Sequence, residues 1–222
     1  MDETVKPRRT YDNRGRADQA RRNRRRIVDA TRRLLISQGY RATTMAAIAR
    51  EAEVSVETVY KAFKTKAALV KETYDIALAG DDEPIPLIDR PEMVALIADP
   101  DPAGKIRRYA AIARAISRRT GPLLGVLLAA ARSGGDPDLE AFAATIDRER
   151  LFGATALVGH VADVGGLRPD LDRDQARDVV WTLISPDLYR LLVGDRGWSH
   201  ATYERWLADT LMATLLPTPP SP

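Results

Sequence analysis

The sequence predicts an all-α protein in which a small three-helix head precedes a larger, entirely helical domain. Apolar residues recur every three or four positions in almost every segment, and glycine and proline residues separate these segments. No segment shows the strict alternation of apolar and polar residues that a half-buried strand requires. With 222 residues, of which 45% are hydrophobic, the chain is long enough to bury a sizeable core.

The first helix of the head is predicted over residues 22–38. One face of this segment is formed by Ile27, Ala30, Thr31, Leu34 and Leu35. Gly39 follows and closes the helix, because glycine readily adopts the left-handed conformation found at helix C-termini. Residues 1–20 are rich in arginine and poor in apolar side chains, so we assign them to a flexible basic arm.

Two short helices follow, separated by a turn. The first begins at Thr44, whose hydroxyl caps its opening turn, and ends at about Ala52. Ser55 caps the second, in which Val59 and Phe63 face inward. The other side chains of this second helix face outward, namely Val56, Glu57, Thr58, Tyr60 and Lys61. The pattern predicts a helix-turn-helix that reads the DNA major groove, and the alternative is an amphipathic helix pair without DNA function.

The order of residues through the head is also informative. It runs Gly39-Tyr40, Thr43-Thr44, Ile48-Ala49, Ala52, Val54-Ser55, Tyr60, Phe63, Lys66 and Leu69. This series resembles the N-terminal pattern of the tetracycline-repressor (TetR) family of transcriptional regulators. The family usually has glycine where this chain has Glu53, so the turn is either strained or shaped differently here.

The resemblance implies a role for each exposed residue of the head. It implies that Thr44 and Lys66 contact the DNA backbone. It also implies that the outward residues of the second short helix approach base edges and phosphates, namely Val56, Glu57, Thr58, Tyr60 and Lys61.

Charge along the chain agrees with a double-stranded DNA partner. Residues 1–66 contain 17 Lys and Arg against 8 Asp and Glu, whereas residues 67–222 contain 17 against 23. A basic head attracts a polyanion, with an affinity that falls as salt rises. The arm at residues 1–20 has two interpretations, which are contact with phosphates or the minor groove and a solvated tail.

The rest of the chain is predicted to be helical. The segments expected to be helices are 65–79, a short one at 92–98, 103–119, 122–132, 138–164, 173–193 and 201–216. Glycine or proline residues mark the breaks, including one at Thr120-Gly121. The predicted domains are the arm at 1–20, a DNA-binding head at 21–66, a connecting helix at 67–80, a ligand-binding and dimerisation domain at 81–216, and a tail at 217–222.

The last two predicted helices have broad apolar faces. Two copies of such a helix pair, related by a two-fold axis, would form a four-helix bundle. The stretches Ser185-Pro186-Asp187-Leu188-Tyr189, Gly197-Trp198-Ser199 and Trp206-Leu207-Ala208-Asp209 resemble the C-terminal region of many TetR members, in which the last two helices form the dimer. The predicted interface residues are Leu188, Leu191, Tyr203, Trp206, Leu207 and Leu211. The alternative is that these faces complete the core of one subunit. Pro186 is expected to kink its helix near Thr182.

The domain between the head and these helices carries no catalytic signature, which favours a small-molecule sensor. Candidate ligand-binding residues are aromatic and polar side chains on apolar stripes, namely Tyr109, Phe142, Phe152, His160 and Trp181. Arg114 is a candidate partner for an anion. The alternative for each of these residues is that it packs in the core without contacting a ligand. The expected effector is largely apolar.

Several classes of function are disfavoured. The chain has no cysteine and only two histidines, without metal-ligand spacing, and it has neither a glycine-rich phosphate loop nor a nucleophile turn. We therefore expect no metal, no other cofactor and no enzymatic activity. The longest apolar run, residues 123–131, is too short to cross a bilayer, so we expect a cytoplasmic protein without membrane contact.

These observations together predict an all-α transcriptional regulator with a helix-turn-helix head and an all-helical regulatory and dimerisation domain. Its predicted activity is sequence-specific repression by a homodimer that binds a palindromic operator and responds to a small molecule. The alternative is an architectural DNA-binding protein without ligand control.

Overall fold

The structure, a computed structural model, describes residues 13–217. All regular structure in this range is helical, which confirms the predicted fold class. The α-helices are α1 Asn13–Ala42, α2 Met45–Glu51, α3 Val56–Ala62, α4 Lys66–Ala79, α5 Pro91–Ala98, α6 Pro102–Arg132, α7 Pro137–Asp163, α8 Arg173–Leu183, α9 Pro186–Tyr189 and α10 His200–Leu215. A 3₁₀ turn, Leu87–Asp89, precedes α5, and a π-helical turn, Arg190–Asp195, follows α9.

Helix α1 begins well before its predicted start. Residues 1–12 of the predicted arm lie outside the described residues, but residues 13–20 are helical rather than flexible. Glutamine, alanine and arginine are good helix formers, and Gln19 Nε2 donates to Asn23 Oδ1 at 2.9 Å across one turn. At the other end, Gly39 interrupts the helix with φ of 81°, close to the predicted closure.

The head has its own core between α1, α2, α3 and the start of α4. Its fully buried members include Ile27, Ile48, Val59 and Leu69, one from each of these helices. Helix α4 then leaves the head and packs its other residues, including Tyr74, against α6 and α7. Because α4 contributes to both cores, a shift of α4 displaces the head relative to the larger domain.

Helix α6 runs without a break from Pro102 to Arg132, so the predicted interruption at Thr120-Gly121 is wrong. Pro122 removes the backbone donor that would bond the Arg118 carbonyl oxygen, and Arg32 of α1 donates to the neighbouring Arg119 carbonyl oxygen at 3.0 Å. Gly121 serves packing here, because a Cβ at this position would lie 3.1 Å from the Tyr189 ring. Contacts with α1 and with Tyr189 thus lie beside two residues, Gly121 and Pro122, that would favour a break in an isolated helix.

The predicted helix over 173–193 is two helices rather than one kinked helix. Helix α8 ends at Leu183, and Pro186 occupies the first turn of α9, where its missing N–H is not needed. The Ser185 hydroxyl caps α9 by accepting from Asp187 N at 3.2 Å. The serine cap and the proline together favour a new helix start over a kink near Thr182.

The core of the larger domain lies between α6, α7, α8 and α10. Tyr203, Leu207 and Leu211 belong to it and are each 0% exposed within one subunit. These three residues have no free surface for a partner, so their assignment to a dimer interface is corrected. Helical phase explains the error, because the apolar face of α10 is already covered by α6.

Candidate nucleic-acid interface and ligand cavity

Helices α2 and α3 are capped by the two hydroxyls that the sequence indicated. Thr44 Oγ1 accepts from Ala47 N, and Ser55 Oγ accepts from Thr58 N, both at 3.1 Å. These bonds fix the starts of both helices of the predicted helix-turn-helix. Thr44 is exposed on the surface of the head.

The turn between α2 and α3 contains Glu53 in a left-handed conformation, with φ of 50°. The chain therefore makes the turn that glycine would make, at a strain cost of about 1–3 kcal/mol. An ion pair of 2.7 Å joins Glu53 Oε2 to Arg26 Nη2 on α1. Of the two options for this turn, the strained one is the one that occurs.

The outward face of α3 is as open as expected at four of its five positions. Val56 and Tyr60 are 40% and 52% exposed, and Glu57 and Lys61 are also exposed. Thr58 is half-buried, and its Oγ1 lies 2.9 Å from Ser55 Oγ. A helix with one buried face and an exposed face of mixed chemistry has the form needed to enter a major groove.

Lys66 is less free than expected. Its Nζ donates to the Tyr40 carbonyl oxygen and lies 3.5 Å from the centroid of the Tyr40 ring. Burial lowers the pKa of Lys66, and burial also raises the pKa of Tyr40 to about 12. Lys66 thus ties the start of α4 to the last turn of α1, and contact of its remaining donors with the DNA backbone stays a prediction.

The charges of the head fall into two groups. Four arginines of α1 are paired with acidic residues, as Arg24–Glu72, Arg25–Asp82, Arg26–Glu53 and Arg33–Glu51. Four cations in or beside α2 and α3 are exposed and have no acidic partner among residues 13–217, namely Arg41, Arg50, Lys61 and Lys64. Arg41, Arg50 and Lys64 were not among the residues predicted from the sequence, because paired and unpaired cations differ only in contacts with residues distant in sequence.

A cavity of about 540 Å³ lies between α4, α5, α6 and α7. This volume is within the roughly 300–1,000 Å³ typical of small-molecule sites. Tyr109, Phe152 and His160 line it, as predicted. Phe152 lies at the surface, where 79% of the residue is exposed. The apolar part of the wall includes Leu78, Met93, Leu96, Ile112, Ile116, Leu124 and Leu157.

The other three candidates for ligand contact lie elsewhere. Phe142 is packed in the core, where its ring meets that of Tyr74 edge-on at 5.6 Å. Trp181 lies behind the wall, and Arg114 is paired with Glu204 at 2.8 Å. In the sequence, a stripe of aromatic and polar residues indicates that a helix face is turned inward. It does not distinguish a face that packs against another helix from one that lines a cavity.

Arg150 is a charged residue of the wall that was not among the candidates predicted from the sequence. Its Nη1 donates to Asp147 at 2.9 Å, and its Nη2 donates to the Trp181 carbonyl oxygen at 2.5 Å. The guanidinium lies 4.7 Å from the Trp181 ring, and burial lowers the pKa of Arg150. Burial also raises the pKa of Tyr109, and the charge of Arg150 opposes this rise.

Among residues 13–217, two kinds of feature are absent. No group of three or more His, Asp or Glu side chains is close enough to hold a metal ion. None of the described helices has the length and apolar character needed to cross a membrane.

The sequence matches the family model described as "Bacterial regulatory proteins, tetR family" over residues 27–73, from α1 to the middle of α4. An uncharacterised HTH-type transcriptional regulator of Bacillus subtilis, YvkB, is 49% identical over 47 residues, which are 21% of this chain and 25% of that protein. A second B. subtilis regulator of this description, YdeS, is 29% identical over 168 residues, or 75% of this chain and 77% of that protein.

Solved structures share the whole architecture. NalD of Pseudomonas aeruginosa, described as the secondary repressor of the MexAB-OprM multidrug efflux pump, has a TM-score of 0.65 at 17% identity, covering 89% of this chain and 98% of its own. A protein of Saccharomonospora viridis, described as a transcriptional regulator and solved with choline, has a TM-score of 0.65 at 18% identity, covering 88% and 98%. At these identities the likeness shows a common fold.

Proposed function

We propose that the chain is a ligand-responsive repressor of the TetR type, since residues 27–73 match the model of that family and the B. subtilis relatives are described as HTH-type transcriptional regulators. In this proposal a homodimer binds a palindromic operator and releases it when a small molecule fills the cavity. One observation carries the proposal. Helix α4 starts in the head at Lys66 and lines the 540 Å³ cavity with Tyr74 and Leu78.

The DNA contacts of the proposal follow from exposure and charge. The α3 residues Val56, Glu57, Thr58, Tyr60 and Lys61 would face base edges in the major groove. Thr44 and Lys66 would face the phosphates, together with the unpaired cations Arg41, Arg50 and Lys64. Four arginines of α1 would contribute less, because acidic partners already neutralise them, namely Arg24, Arg25, Arg26 and Arg33.

A homodimer is needed to place two α3 helices in successive major grooves, about 34 Å apart on one face of DNA. Apolar side chains near the C-terminus support a partner on this side of the molecule. Leu191 is 43% exposed, and Leu188 and Trp206 are half-buried. These three residues are the part of the predicted interface that still has a free surface.

Release by a ligand requires a route from the cavity to the head. Arg119 of α6 supplies one, because it donates from Nε to Ala77 O at 2.9 Å and from Nη2 to Leu78 O at 2.7 Å. A ligand that moves α6 would therefore move the end of α4 as well. Shifting the population of α4 positions changes the spacing of the two α3 helices, so ligand and DNA weaken each other's binding.

The relatives add support for both parts. NalD is described as a repressor, and the S. viridis protein was solved with a small organic molecule. The test has two stages, beginning with selection of DNA sites by the purified protein and a footprint on the selected site. A sharp palindromic footprint supports the proposal, whereas uniform coating would favour an architectural protein. A screen for compounds that raise Tm then identifies ligands, and each must lower operator affinity.

A further inference from the structure

We infer that the ligand of the cavity is an apolar molecule bearing a carboxylate, and that Arg150 binds the carboxylate. This inference rests on the proposed function, since it takes the cavity to be an effector site. It adds a chemical class to the largely apolar effector expected from composition. Three observations support it, which are an unsatisfied guanidinium donor, neighbouring donors without acceptors, and the absence of a free acid in the described wall.

The first observation is the hydrogen bonding of Arg150. Its two terminal nitrogens are bound by Asp147 and by the Trp181 carbonyl oxygen, but Nε is buried and has no acceptor among the described residues. A guanidinium keeps its proton in proteins, so burial without an acceptor cannot be relieved by deprotonation. The side chain is 14% exposed beside the cavity, and each terminal nitrogen carries a second N–H, so a carboxylate of the ligand can accept from the guanidinium there. Asp147 is 59% exposed, so solvent screens its share of the charge.

The second observation is that other unsatisfied donors lie beside Arg150. Five buried side-chain polar atoms lack a partner among residues 13–217, and they include the indole Nε1 of Trp181 and the hydroxyl of Tyr203. The Trp181 ring contacts the Arg150 guanidinium. Tyr203 has the Ser117 side chain of the cavity wall beside it, without a hydrogen bond of normal geometry. Neither residue lines the cavity, and neither donor offers Arg150 an acceptor, so the guanidinium lies in a region with an excess of hydrogen-bond donors.

The third observation is the charge of the wall. Glu149 is the one acidic residue in the described lining, and its Oε1 is 3.1 Å from Lys71 Nζ. A cationic ligand would therefore meet a carboxylate that is already paired and, in Arg150, a like charge. The remaining wall is mostly apolar, with Met93 and Leu96 of α5 facing Ile112 and Ile116 of α6. An anionic head at Arg150 and an apolar body along α5 and α6 match this distribution.

The test uses three probes that share one alkyl chain, namely decanoate, decanol and decylamine. Calorimetry measures the binding of each to the full-length protein, and a titration of the selected operator measures DNA release. We expect decanoate to bind at least tenfold more tightly than decanol, and decylamine to bind most weakly. Equal or tighter binding of decanol or decylamine, or no binding of decanoate at 1 mM (about −4 kcal/mol), would overturn the inference.

Variants locate the carboxylate. Arg150→Gln should remove the preference for decanoate over decanol, and Arg150→Lys should retain part of it. Arg148→Gln is the matched control, since Arg148 is an exposed arginine on the rim of the same cavity that donates to Thr145 Oγ1 at 2.8 Å. It should leave the preference intact. A preference that survives Arg150→Gln contradicts the inference, and if that variant does not fold, the comparison of probes on the wild type still decides.

The same measurements separate this inference from the proposed function. If decanoate binds through Arg150 but leaves operator affinity unchanged, the inference holds and ligand-controlled repression fails. If decanol or decylamine releases the operator and decanoate does not bind, ligand control holds and the inference fails.

Discussion

Arg32 Nη2 of the DNA-binding head donates to the carbonyl oxygen of Arg119 at 3.0 Å. The side chain of Arg119 then donates to Ala77 and Leu78 at the end of α4. Three helices are thus joined at one point, with α1 on the DNA side, α6 on the cavity side and α4 between them. Both arginine side chains are partly buried, so these charged hydrogen bonds are weakly screened and hold the helices in a defined arrangement.

Arg119→Gln is expected to weaken the coupling between ligand and operator more than it weakens either binding event alone. The amide is too short to reach both carbonyl oxygens, so motion of α6 is transmitted less to α4. Operator affinity is measured with and without saturating ligand, and the ratio should fall severalfold from its wild-type value. Arg118→Gln, at the exposed neighbouring position, should leave the ratio unchanged. An unaltered ratio in Arg119→Gln would show that coupling takes another route.

Lys61→Ala and Lys64→Ala should differ in kind, although both remove one exposed unpaired lysine. Lys64 follows α3 and is proposed to contact phosphate, so its loss should weaken all DNA sequences alike and lower the salt slope by about 0.9. Lys61 lies on α3, so its loss should also change the preferred bases, by about 1–3 kcal/mol. Titrations on several operator variants at several salt concentrations distinguish the two. Identical profiles would refute the assignment of base reading to Lys61.

Lys66→Ala is expected to act on stability as well as on DNA. The substitution leaves the Tyr40 carbonyl oxygen without its donor and removes the cation over the ring. Since Lys66 is half-buried, we expect a loss of about 1 kcal/mol in the free energy of unfolding. Denaturant titration measures this loss, with Lys64→Ala as the exposed control. Unchanged stability together with weaker DNA binding would instead assign Lys66 to phosphate contact alone.

The sequence was sufficient to predict the features of this molecule that depend on residues close together in the chain. The hydroxyl caps at Thr44 and Ser55, the closure at Gly39 and the outward face of α3 depend on residues within one or two turns. The continuity of α6 through Pro122 could not be predicted this way, because α6 packs against α1, α7 and α10, which are distant in sequence. For the same reason Arg150 was missed, since its position in the cavity wall is set by the packing of α7 against α6 and α8.

Glu53→Gly is expected to stabilise the head, because glycine adopts a φ of 50° without the steric cost that glutamate bears. Glu53→Ala is the control, since it also removes the ion pair with Arg26 but keeps a Cβ. Glu53 is 83% exposed at its side chain, so loss of the ion pair should cost little in either variant. Thermal or urea unfolding should place Glu53→Gly about 1 kcal/mol above Glu53→Ala. Equal stability would mean that the turn relaxes without strain.

Leu191→Glu is expected to give a folded monomer. Leu191 is 43% exposed in one subunit, so a charge there costs the subunit little, but it would be buried without a partner in the proposed dimer. Light scattering should give a mass near 24.5 kDa for this variant and twice that for the wild type. Operator affinity should fall far more than non-specific affinity, because a monomer engages one half-site.

Two controls accompany Leu191→Glu. Val94→Glu alters an apolar residue of α5 that is 52% exposed, away from the C-terminal helices, and should remain dimeric. Leu211→Glu places a charge at a 0% exposed core position and should unfold the subunit, by several kcal/mol, rather than release folded monomers. A wild-type mass of 24.5 kDa would refute the dimer itself. A Leu191→Glu dimer would place the interface elsewhere on the molecule, and folded Leu211→Glu monomers would return that residue to the interface.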